Sequence, residues 1–93
     1  NRKTPLADAI RFQKIQMWGT NQKLIREYPE ALTWQVVPHA VIAVPLVEKG
    51  ITVAGCVYAM REEFTTDQEP IFCELFEVAS SLLYQVYLKQ HVK

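Results

Sequence analysis

The stretch "VIAVPLVEKGITVAGCVYAM" (residues 41–60) constrains the fold most. It reads as two strands joined at Glu48-Lys49-Gly50. A two-residue turn with glycine between apolar runs is a strong hairpin signal. Val41, Ala43, Pro45 and Val47 fall on one face of the first strand, and Ile42, Val44 and Leu46 on the other. In the second strand Ile51, Val53, Gly55 and Val57 oppose Thr52, Ala54, Cys56, Tyr58 and Met60. A sheet with one wet face alternates apolar and polar residues. This hairpin barely alternates, so cover is expected on both sides. Pro45 cannot donate a ladder hydrogen bond and predicts an edge, a bulge or a bend there.

The flanking segments supply candidates for that cover. Thr4 can cap a helix with Pro5 at its first position, carrying Leu6, Ala9 and Ile10 to about Phe12. Residues 14–18 alternate as a short strand ended by Gly19. Thr20 or Asn21 caps a second short helix with Leu24, Ile25 and Tyr28, which Pro29 stops or kinks. Residues 30–38 read as one helical turn followed by an extended lead-in, since Pro38 biases Val37 away from helix.

Thr66-Asp67-Gln68-Glu69 has the form of a capping box and predicts a helix from Asp67 to about His91. Acids at its start and Lys89, His91 and Lys93 at its end suit the helix dipole. Its apolar residues form two stripes, Ile71, Leu75, Val78, Leu82 and Val86, and Phe72, Phe76, Ala79, Leu83 and Tyr87. A helix laid once on a sheet needs one stripe. The second predicts another partner, a neighbouring helix or a second copy. On this pattern Leu82→Asp and Leu83→Asp should differ, one unfolding the domain and the other changing its assembly. The remaining face, with Glu74, Glu77, Ser81 and Gln85, is polar.

The 93 residues allow one domain with a modest core. Ten basic and ten acidic residues cancel, which argues against direct nucleic-acid binding. No uninterrupted apolar run reaches about 18 residues, so no membrane span is expected. The two cysteines, Cys56 and Cys73, lie in apolar elements without CxxC spacing, which suggests reduced core thiols of a cytoplasmic protein, with one disulfide as the alternative. The absence of an initiator Met suggests a piece of a longer chain.

The order helix, strand, short helix, hairpin and capped long helix resembles the C-terminal two-thirds of a GAF domain. "AVPLVEKG" (43–50) and "ITVAGCVYAM" (51–60) are similar to that family's Pro-Leu strand, glycine turn and small-Gly-aliphatic strand. "FTTDQE" (64–69), "TPLADAIRFQKIQMW" (4–18) and Tyr28-Pro29 match further segments. The family's first helix and strand pair are missing, so the chain would be a fragment or a shortened variant whose sheet edge something else covers. The resemblance implies an α+β fold of the GAF/PAS type, an antiparallel sheet packed with helices and ending in a long helix. It implies a small-molecule sensor in a signalling or transcription-regulating protein, with a pocket roofed by residues 14–39. Trp18, Trp34, His39 and Tyr58 are its candidate ligand residues. Phe72, Phe76, Leu83 and Tyr87 would form the dimer and relay side of the last helix.

Each candidate also has a plain structural reading. The tryptophans can stack on a planar ligand or simply fill core. His39 has no paired acid or second histidine nearby. The cyclic-nucleotide branch carries an Asn-Lys pair and an Asp-Glu pair, but Ala59-Met60 and Gln68-Glu69 stand in those places. The branch that reduces free methionine sulfoxide needs a thiolate with a resolving thiol, whereas Cys56 and Cys73 read as small apolar fillers. No motif specific to the bilin-binding branch appears. No metal spacing or catalytic set stands out, so a non-enzymatic domain is expected, and the residues name no cofactor. A ligand-free dimerisation module is the other reading.

Overall fold

The computed structural model describes residues 4–91. Lys93, expected to close the helix electrostatically, lies outside them. The fold is α+β: a three-stranded antiparallel sheet packed against helices, with one long C-terminal helix. The elements are α1 (Pro5–Phe12), β1 (Gln16–Trp18), α2 (Asn21–Glu27), a 3-10 turn over Pro29–Thr33, β2 (Ala40–Glu48), β3 (Ile51–Met60), a 3-10 turn over Thr66–Gln68, and α3 (Glu69–His91). Thr4 caps α1 by accepting from the Ala7 N–H at 3.0 Å, and Thr20 caps α2 by accepting from Lys23 at 3.1 Å.

The strand order is β1-β2-β3. Ile42 pairs with Met17 on one side and Tyr58 on the other. The hairpin turn places Lys49 and Gly50 at φ 52° and 78°. Positive φ at both central residues matches the twist of the flanking strands, and glycine takes it without strain. Pro45 lies beyond the stretch that pairs with β1 and just before a register shift at Leu46/Val47. Its missing N–H therefore costs the ladder little.

β2 is covered on both faces. On one, Ala9, Trp18, Leu24, Tyr28, Ala31, Val41 and Ala43 form a core beneath α1, α2 and the first 3-10 turn. On the other, Ala40, Ile42, Val44 and Phe64 pack with Tyr58, Phe72 and Phe76. Cover over β3 is incomplete: Ile51, Val53 and Val57 are exposed. Among the described residues no strand pairs with the outer edge of β3. That edge is ten residues long and carries no charge or proline, and what interrupts it is the register shift that leaves Val53 without a partner on β2.

The capping box forms one residue earlier than the sequence suggested. Thr65, not Thr66, is the cap, and the Gln68 side chain accepts from the Thr65 N–H at 2.9 Å. Gln fills the third position of such a box as well as Glu does. A 3-10 turn therefore precedes α3, which starts at Glu69 rather than Asp67. The Phe64 N–H donates to the Gly19 carbonyl at 2.9 Å, tying this connection to the end of β1. A Cβ at Gly19 would collide with the Phe64 carbonyl oxygen.

Candidate functional site

The four candidate ligand residues do not converge. Trp18 is buried in the first core, edge-on to the Tyr28 ring at 5.3 Å. Trp34 is partly buried against the same core. Tyr58 is on the opposite face, where its hydroxyl and that of Ser80 share a 2.7 Å hydrogen bond. His39 is exposed, and its backbone N–H donates to the Met60 carbonyl at 3.0 Å, so its visible role is to start the hairpin pairing. Strand alternation explains the split, because residues of opposite parity on paired strands face opposite ways.

Trp34 does border an open apolar groove of about 270 Å³ with Val36, Pro38, Val41, Val57 and Ala59, on the face where a pocket was expected. A second groove of about 350 Å³ runs between β3 and the far half of α3, lined by Ala54, Cys56, Leu83, Tyr84 and Tyr87. Both border β3.

Two buried polar ties were missed in the sequence. The Tyr28 hydroxyl donates to Asp8, and the Arg11 guanidinium donates to the other Asp8 oxygen at 3.0 Å. Burial, and then the bond to the Asp8 carboxylate, raise the Tyr28 pKa above the ordinary phenol value. The second tie is Tyr58 to Ser80, the latter fully buried. A small polar residue placed among apolar ones on a helix is the available signal, and it does not name its partner. Tyr28→Phe removes the donor from a buried carboxylate oxygen, a loss of about 1–3 kcal/mol. Urea unfolding of the two proteins checks this, and unchanged stability would deny the tie its role.

Cys73 and Cys56 are free thiols. The Cys73 thiol donates to the Glu77 carboxylate at 2.9 Å. That bond, aided by burial and the charges of Glu77 and Glu74, pushes the thiol from 9.0 up to about 11. A raised thiol pKa opposes thiolate chemistry at neutral pH. Because the folded value lies above the unfolded one, the associated stability is full below pH 9 and is lost as pH rises through 11. Alkylation of Cys73 by iodoacetamide should accordingly reach half its maximal rate near pH 11, and Glu77→Gln should move that midpoint down. A midpoint already at neutral pH would revive the redox reading.

The long helix holds the largest unpartnered feature. Its sheet side is Phe72, Phe76, Ala79 and Ser80. Phe72 meets the Phe64 ring at 5.2 Å, and Phe76 meets Tyr58 at 4.5 Å. The expected dimer and relay set therefore divides. Phe72 and Phe76 pack inside the domain, because the helix turns that stripe to the sheet. Leu83 and Tyr87 are exposed at its flank, over the β3 groove. The other stripe points away from the sheet: Ile71, Leu75, Val78, Leu82 and Val86 are 69, 56, 60, 59 and 52% exposed. Leu82 and Leu83 are both exposed, so an aspartate at either is not expected to unfold the domain as the sequence pattern had suggested.

By length and composition the helix over Thr66–Gln90 could cross a membrane, its most apolar 18-residue window having a mean hydropathy of 1.3. Glu74 and Glu77 interrupt its apolar run, so a count of unbroken apolar residues does not detect it. Its rings on the sheet and its glutamates, Glu74 and Glu77, are equally those of a helix that closes a core. Among the described residues no His, Cys, Asp and Glu group could hold a metal ion. Comparison with family models, with curated proteins and with solved structures finds no match for this chain.

Proposed function

We propose that this chain is a GAF-like regulatory domain of a cytosolic signalling or transcription-regulating protein, and that it works as an interaction module. It self-associates through the outward stripe of α3, and the same helix carries changes in packing to an attached polypeptide. The observation that carries this reading is the row of five large apolar side chains, each more than half exposed, on the side of α3 away from the sheet. A helix apolar on opposite sides is stable in water when both sides are covered. Sedimentation equilibrium over the micromolar range tests it: a dimer is expected, and a monomer at high micromolar concentration overturns it.

A second reading, small-molecule sensing, is supported by the groove that Trp34 borders. It is shallow and smaller than most ligand sites, which run about 300–1,000 Å³. Native mass spectrometry separates the two readings. A co-purifying mass of a few hundred daltons favours the sensor, and a clean ligand-free dimer favours the module.

A further inference from the structure

We infer that the partner of α3 is α3 of a second copy, packed antiparallel about a two-fold axis near Val78. The inference rests on the self-association reading above and specifies its geometry.

Spacing is the first argument. Ile71, Leu75, Val78 and Leu82 follow a 4-3-4 rhythm, the repeat of a helix-on-helix seam. An antiparallel copy sets Ile71 against Val86 and Leu75 against Leu82.

Charge decides the direction. Asp67, Glu69, Glu74 and Glu77 lie in or just before the first half of the helix, and Lys89 lies in its last turn, in line with the stripe. Parallel, in-register pairing would place Lys89 against Lys89 and stack the acidic halves. Antiparallel pairing brings each Lys89 beside the other copy's acidic first turn and aligns the helix dipoles favourably.

The available surface is sufficient. The chain exposes 6877 Å², whereas a folded monomer of 10.7 kDa exposes about 5,500 Å². The surplus exceeds the roughly 800 Å² that each partner buries in an interface of ordinary size. One such contact fits within it, with the β3 edge left over.

Distance measurement tests the geometry. A nitroxide at Gln90→Cys, in a Cys56→Ala/Cys73→Ala background, reports the separation of the two helix ends by pulsed electron resonance. Antiparallel pairing about this axis sets the two positions about 35 Å apart along the seam, from 1.5 Å per residue. Labels within roughly 15 Å would mean a parallel pair and overturn this inference while leaving self-association intact; the span corresponds to adjacent helices about 10 Å apart. Uncoupled labels on a monomer would overturn both. Lys89→Glu, made with both cysteines retained, is the independent arm. It should weaken association several-fold at low salt and lose that effect at high salt. Unchanged or tighter association at low salt counts against the antiparallel arrangement.

Discussion

The double variant Leu75→Asp/Leu82→Asp is expected to stay folded and to sediment as a monomer. Both leucines are more than half exposed in the single chain, so replacing them removes little of its core. Substitutions at such positions usually shift stability by no more than about 0.5 kcal/mol. Across a two-fold seam they remove four leucines and bring four carboxylates together. A buried leucine contributes roughly 1.5–3 kcal/mol. Even a fraction of that per site, over four sites, makes association at least about a thousandfold weaker, or about 4 kcal/mol. Circular dichroism and sedimentation together give the answer. A variant that unfolds makes the stripe part of the core, and a variant that remains dimeric moves the interface elsewhere.

Phe76→Ala should do the opposite, lowering stability of the fold by about 2–4 kcal/mol, at the lower end for a ring only partly buried. Phe76 touches the Tyr58 ring at 4.5 Å and Phe72 at 6.0 Å, and it is one of the rings that hold α3 to the sheet. A chain of this length has a total stability of roughly 5–14 kcal/mol. The loss should appear as a clearly lower urea midpoint with a similar slope. A midpoint unmoved by this change, with association abolished, would reverse the two sides of the helix. The two substitutions thus read opposite sides of one element.

Most of the fold was legible because local signals and burial agreed. Thr4-Pro5, Thr20 and the Lys49-Gly50 turn act within four residues, and each appears where the sequence placed it. The hairpin's lack of alternation correctly predicted two-sided cover for β2. It overstated the cover on β3, because an apolar residue does not reveal whether its neighbour lies within the same chain. The cap moved by one residue because Thr65 and Thr66 both offer a hydroxyl, and Gln68 completes the box with Thr65 as Glu69 would have with Thr66. The two stripes of α3 were visible, but which one meets the sheet was not. Helical spacing is blind to rotation about the axis, and the Phe64–Phe72 and Tyr58–Phe76 ring pairs, contacts between distant parts of the chain, set that rotation. The candidate ligand residues are divided for a related reason. Trp18, Trp34 and Tyr58 were grouped by type, whereas strand parity and the path of residues 28–38 distribute them over two faces.

The uneven hold on α3 has a mechanical consequence. The helix is clamped at Phe72, Phe76 and Ser80, and the residues from 81 to 91 extend beyond the last fully buried one. That overhang is about 16 Å long at 1.5 Å per residue. It is a lever whose fulcrum is the Tyr58–Ser80 hydrogen bond, so a tilt of about 10° there moves the far end by roughly 3 Å over that length. In an antiparallel pair each lever arm lies on the clamped half of the other, and neither can swing without displacing its counterpart.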